Sequence, residues 1–272
     1  MTAERERTAS SGARRVSYRP KSSSKPTRSG RAAEKPVAWQ WSDAYAVGAV
    51  LVLSLAFRAF VLGSEAVAVM PSAGRVVTRA VVLGLSHVAI LALVIVLARR
   101  RGDSALESLR LAIPGGVSTR ARLTSAAVST VLVVVLVILT RIASTAWGAV
   151  SQGLGWLPPA SEPLVEVFGG GGAGLSLAVV TVVVLGPLVE ELAFRGVLLG
   201  VLVERFGQLT GVIGSAAIFA LYHTTLWVVV PTFLLGMATG WLAMKRPTLW
   251  PAISLHSLYN GIVVAAVFLV VA

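Results

Sequence analysis

Gly174–Val203 reads GLSLAVVTVVVLGPLVEELAFRGVLLGVLV. Nearly every residue is apolar, and the run exceeds the roughly 18 residues needed to cross a hydrocarbon core about 30 Å thick. Yet Glu190, Glu191 and Arg195 sit inside it. Each ionisable residue in such a place costs about 2.5–3.5 kcal/mol, so the three together cost on the order of 7–10 kcal/mol if charged and unpaired. Helical spacing offers an offset. Glu191 and Arg195 are four residues apart and share a face, so they can pair. Glu190 is turned about 100° away and is left for another task. The plain alternative is that both acids only anchor Arg195 and hold helices together.

The rest of the chain agrees with a membrane setting. Of 272 residues, 56% are hydrophobic and 13% charged, with a mean hydropathy of +0.81. Soluble domains carry about 25% charged residues. The net charge of +12 does not point to nucleic acid, because ten of the 24 basic residues lie in the first 36 positions and most others end apolar runs. That is the positive-inside pattern, with the basic tail facing anionic headgroups. With no cysteine in the chain, thiol catalysis, disulfides and cysteine-ligated metals are excluded.

Residues 1–36 read as a disordered basic cytoplasmic tail. Residues 37–168 read as N-terminal transmembrane spans, roughly Ala44–Gly63, Val76–Ala98 and Leu123–Val150, with Trp39 and Trp41 as interfacial anchors. Between the second and third, Leu106, Leu109 and Ile113 fall on one helical face. Ser104 with Glu107 fits a capping box, which predicts an interfacial helix near 104–113. The loop with Pro158, Pro159 and Glu162 precedes a glycine run at 169–172 that reads as a hinge, since it lacks the Lys-Ser/Thr ending of a phosphate-binding loop.

The region 169–272 reads as the catalytic core. After Gly174–Val203, which Pro187 should kink or break, come a short span at Thr210–His223 and longer ones at Leu226–Met244 and Leu249–Val270. The fold class is therefore all-α, a polytopic transmembrane bundle of seven spans, or eight if Pro187 separates two crossings. The core occupies the last four or so helices. Basic residues at the tail, at 99–101, 110, 120 and 122, and at 205 and 245–246 fit one side. They put the N-terminus in the cytoplasm, with a bacterial plasma membrane as the expected location.

Two further spans carry polar groups at helical spacing. His223 follows Phe219 by four residues, and His256 and Asn260 are four apart on one face. Two histidines on separate helices, an asparagine and a glutamate pair look like one convergent site. His87, beside Ser86 in the second span, has no such company and reads as a structural hydrogen-bonding residue. An aspartyl protease would need paired intramembrane aspartates, but the only ones are Asp43 and Asp103, outside the spans. Ser86 and Ser215 are available to a serine mechanism, but small residues in spans usually serve helix packing.

Three patterns occur in order, each in an apolar helix: EExxxR at Glu190–Arg195, FxxxH at Phe219–His223 and HxxxN at His256–Asn260. In these, and in Gly196 and the Leu249-Trp250-Pro251 lead-in, the chain resembles the CAAX prenyl protease and bacteriocin-processing (CPBP, Abi) family of intramembrane endopeptidases, over about residues 170–271. The resemblance implies a hydrolase that cuts a peptide bond with glutamate-activated water. Glu190 would be the general base and His256 would orient the water. His223 and Asn260 would stabilise the oxyanion, while Glu191, Arg195 and Phe219 support the site.

No cofactor is required by this reading, although Glu190, His223 and His256 could form a three-ligand zinc site with one open position. The HExxH of zinc proteases is absent. The implied partners are membrane lipids and a peptide or protein substrate that could be lipidated. Two rivals stay open: a non-catalytic membrane scaffold or immunity protein, and a proton-coupled transporter using the same buried charges. No internal repeat supports the transporter.

Overall fold

A computed structural model describes residues 38–102, 104–113, 115–156, 163–223 and 226–271. The basic tail, Asp103, Pro158, Pro159 and Glu162 lie outside the described residues. Among the described residues there are ten helices: α1 (Trp41–Leu62), α2 (Glu65–Ala68), α3 (Ser72–Arg101), α4 (Ala105–Ser108), α5 (Thr119–Gly153), α6 (Pro163–Phe168), α7 (Gly171–Phe206), α8 (Gln208–Tyr222), α9 (Leu226–Lys245) and α10 (Trp250–Val271). Six of these, α1, α3, α5, α7, α9 and α10, are long and apolar enough to cross a membrane. The seventh expected span, α8, has 15 residues. At 1.5 Å per residue it measures about 22 Å, short of a full crossing. The protein is an all-α, multi-pass membrane protein.

The eighth crossing is not formed, because α7 runs without a break through Pro187. Its path is irregular instead. Two π-helical stretches, Val179–Leu185 and Leu192–Leu198, flank a short α segment, Gly186–Glu191, with Pro187 in its first turn. A proline ring clashes with the carbonyl four residues back in a regular α-helix. The wider π turn before Pro187 relieves that clash without ending the helix. The chain then reverses at Gly207, whose φ of 80° lies in the left-handed region that glycine tolerates, and α8 returns along the end of α7.

The centre of the bundle is α7, in contact with α1, α3, α8, α9 and α10. All seven residues from Leu192 to Leu198 are buried. Around them the main apolar core gathers Val47, Leu51, Ile90, Val94, Phe219, Leu235, Leu242 and Leu255. The outer faces of α1, α3 and α5 stay apolar and exposed, as at Phe60, Val81, Val131 and Ile138. That is the expected finish for surfaces that meet lipid rather than water.

Two local expectations need correction. Trp39 is buried against α7, where a Cβ on Gly200 would stand 2.9 Å from its Cδ1, so it does not anchor at an interface. The predicted helix near 104–113 is confined to Ala105–Ser108. Its expected cap is present, with Ser104 Oγ accepting from Glu107 N at 3.4 Å. The segment then turns inward. Leu109 is buried while Leu106 and Ile113 are exposed, so the three share no face. Arg110, at φ 56°, donates to the carbonyls of Ala243, Arg246 and Pro247, capping the C-terminal end of α9. Leu249 N donates back to Arg110 O at 3.0 Å, so the segment clamps the α9–α10 turn.

Candidate functional site

Glu191 and Arg195 are the most deeply buried charges, with 0% and 2% of their surface exposed. Arg195 Nε stands 3.3 Å from Glu191 Oε2, close enough for an ion pair. The pair lacks the alignment of a hydrogen bond, because it spans the junction where α geometry gives way to π. Other helices complete the arrangement. His256 Nδ1 on α10 donates to Glu191 Oε1 at 2.9 Å, and Arg195 Nη2 donates to the Gly236 carbonyl of α9 at 3.2 Å. The guanidinium also lies 4.4 Å above the Phe219 ring of α8, a cation–π contact. Glu191 and Arg195 thus tie three helices to α7.

Phe219 is the apolar hub of the site. Fully buried, it meets Phe194, His223 and His256 edge-on at centroid distances of 5.1, 4.8 and 5.5 Å. These aromatic contacts fix the two imidazole planes.

Glu190 is placed differently from its neighbour. Its side chain is 13% exposed, and its nearest partners are imidazoles at longer range. His256 Nε2 lies 3.9 Å from Oε2, and His87 Nε2 lies 3.9 Å from Oε1. Both distances exceed a direct hydrogen bond. Glu190 opens onto a cavity of about 760 Å³ shared with His223, Tyr222 and the α1 residues Val52, Leu55 and Arg58. Arg58 brings a positive charge to an otherwise apolar wall, its guanidinium 5.1 Å from the Tyr222 ring centroid.

The hydrogen bonds assign the imidazole tautomers. His256 Nδ1 faces a carboxylate, and His223 Nδ1 lies 2.9 Å from the Phe219 carbonyl. Neither oxygen donates, so both Nδ1 atoms carry the proton. When neutral, each ring presents a free lone pair at Nε2. Asn260 stands one turn beyond His256 on α10, and its Nδ2 donates to the Val182 carbonyl at 2.9 Å. That carbonyl belongs to the first π stretch of α7, so Asn260 braces the irregular backbone and keeps one amide hydrogen for other use.

The structure therefore gathers Glu190, Glu191, Arg195, Phe219 and His256 closely. His223 joins them through its contact with Phe219 and lines the same cavity as Glu190, while Asn260 bonds the Val182 carbonyl. His87, set aside in the sequence as structural, joins Glu190. The signal for it was available, since an ionisable residue within a span is a functional candidate by default. Glu190, His223 and His256, considered as zinc ligands, are not gathered into a set of three: no group of three His, Asp or Glu side chains among the described residues is arranged to hold a metal.

Comparisons with known proteins cover only the region that carries these motifs. Searches of curated proteins and of solved structures find no match. Across residues 172–262, about a third of its length and the part that holds all three motifs, the chain matches the Rce1-like family, described as type II CAAX prenyl endopeptidase Rce1-like.

Proposed function

We propose that this protein is an intramembrane endopeptidase that hydrolyses a peptide bond in a hydrophobic or membrane-associated substrate. The family match supports a protease of the CAAX type in general. The observation that carries the reading is the contrast between adjacent glutamates. Glu191 is spent on Arg195 and His256, while Glu190 faces the cavity between imidazoles and has no cation of its own.

In this reading a water sits between Glu190 Oε2 and His256 Nε2, a 3.9 Å gap that suits bridging better than direct contact. It donates one hydrogen to the carboxylate and one to the imidazole lone pair, which aims its own lone pair outward at a carbonyl carbon. As the C–O bond forms, a water proton passes to Glu190. When the C–N bond breaks, Glu190 returns that proton to the departing amine. His223, with Nδ1 already donating to Phe219 O, can serve the oxyanion only as an imidazolium, through Nε2–H. Asn260 would add its second amide hydrogen. The apolar wall from α1 suits a hydrophobic or lipidated segment. The basic helix ends at Arg99–Arg101 favour a cytoplasmic N-terminus.

The test compares protein N-termini in membranes of cells expressing wild type or Glu190→Gln at matched levels. New termini found only with the wild type establish proteolysis and name candidate substrates. Identical profiles would sink the protease reading and favour a scaffold that keeps the fold without turnover.

A further inference from the structure

His87 is a buried imidazole with little to do unless it serves Glu190. It lies on α3, is 4% exposed, and its Nδ1 has no hydrogen-bond partner among the described residues. The neighbouring Ser86 hydroxyl is spent on the Val82 carbonyl. The Glu190 carboxylate lies 3.9 Å from His87 Nε2. The ring packs on α7 at Gly186, where a Cβ would stand 3.6 Å from His87 Nε2, an ordinary contact, and 2.9 Å from the Thr181 carbonyl of α7 itself. A histidine kept for packing alone would have its polar atoms satisfied elsewhere, as buried polar groups generally do.

Resting on the reading of Glu190 as the base, we infer that His87 is a positioning residue that holds Oε1 of Glu190. Its Nε2 faces Oε1 at 3.9 Å, and the acceptor Nε2 of His256 faces Oε2 at the same distance. Protonated at Nε2, His87 turns a donor toward Oε1 and makes the two carboxylate oxygens unequal, leaving Oε2 to take the proton from water. Because α3 lies outside residues 172–262, the N-terminal part of the chain contributes to the site although it carries none of the three motifs.

The experiment uses the full chain with His87→Phe and His87→Gln. Gln can place an amide N–H near the position of imidazole Nε2, whereas Phe keeps the ring and removes the donor. The infrared difference between wild type and Glu190→Gln isolates the Glu190 carboxylate bands without any substrate. His87→Phe is expected to shift those bands and His87→Gln to restore them. On a substrate named by the N-terminus comparison, His87→Phe should lower kcat by about 10²-fold, the scale of a 1 Å misplacement. KM should stay within about twofold, and Gln should recover most of the rate. Unshifted bands in a folded His87→Phe, or equal kcat in all forms, would overturn the inference. A failure of the protease reading looks different: no wild-type-specific termini, whatever the infrared bands do.

Discussion

Helices α5 and α7 have almost the same length, 35 and 36 residues, and both are apolar enough to span a membrane. They handle their polar groups in opposite ways. In α5 the hydroxyls of Thr124, Ser129, Thr130, Thr140, Ser144 and Ser151 each bond the carbonyl four residues back. The helix satisfies most of its hydroxyls internally, stays regular and leaves Val131, Val134 and Ile138 exposed. Its polar side chains reach neighbours at three places only among the described residues: Ser144 Oγ lies 2.8 Å from Tyr259 Oη, Trp147 Nε1 donates to Trp227 O at 3.1 Å, and the Arg141 guanidinium lies 5.1 Å from the Tyr259 ring centroid. In α7 Ser176 likewise bonds the carbonyl four residues back, but the charged groups at its centre are carboxylates and a guanidinium, which a single helix cannot satisfy. They draw in α3, α9 and α10, and the helix is π-wound on either side of Glu190. A hydroxyl in a span costs little and says little about function. A charge there recruits neighbours, and the recruited neighbours are the site.

The sharpest break in the comparison is Glu190→Gln. It is nearly isosteric and removes the base, so turnover should fall by about 10²–10⁴-fold, the usual contribution of general base catalysis. Thermal unfolding in detergent should change little, since Glu190 accepts no direct hydrogen bond closer than 3.9 Å. A large loss of stability would mean that Glu190, like Glu191, is structural.

Arg195→Met attacks the other half of the pair. It leaves Glu191 fully buried with only His256 beside it. Removing one partner of a buried pair costs about 3–5 kcal/mol. The expected result is a marked fall in the detergent unfolding midpoint together with loss of activity. If Arg195→Met kept the midpoint and lost only turnover, the Glu191–Arg195 pair would have to act in the chemistry rather than beneath it.

The different legibility of these residues has a physical cause. Glu191 with Arg195, and His256 with Asn260, are local i,i+4 relations, so the sequence exposes them directly. Both keep close to the expected geometry. The apolar runs likewise reveal the spans, because bilayer thickness sets their length. His87 is a tertiary matter. Its meeting with Glu190 depends on α3 crossing α7 at Gly186, and one sequence carries no sign of that crossing. Pro187 misleads for a related reason. Its steric conflict is local, but the remedy is a π turn held in place by surrounding helices and by Asn260 on the Val182 carbonyl. The segment after Ser104 also misleads, since its leucine spacing cannot reveal that Arg110 caps α9.

Gly236→Ala probes how tightly the recruited helices are fitted. An added Cβ would meet Ala216 Cα at 3.0 Å, Ala216 Cβ at 3.1 Å and Arg195 Nη2 at 3.2 Å. Overpacking of this kind costs about 1–3 kcal/mol. It should also loosen the bond from Arg195 to the Gly236 carbonyl. A lowered unfolding midpoint with partial activity is expected. An unchanged midpoint would show that α8 and α9 can part without cost, and that the site is less rigid than its contacts imply.

Ser129→Ala on α5 sets the small end of the scale and tests the comparison from its quiet side. The hydroxyl bonds Ser125 O at 2.8 Å and nothing on another helix. Such back-bonding slightly disfavours a helix, and alanine is the better helix former. The substitution should therefore change stability by less than about 0.5 kcal/mol and leave activity at the wild-type level. Detergent unfolding, run beside Gly236→Ala, reads the difference directly. A cost near that of Gly236→Ala would mean that Ser129, like Ser144 with Tyr259, holds a polar contact to a neighbour. The contrast between a span that satisfies most of its hydroxyls itself and a span whose charges recruit neighbours would then fail.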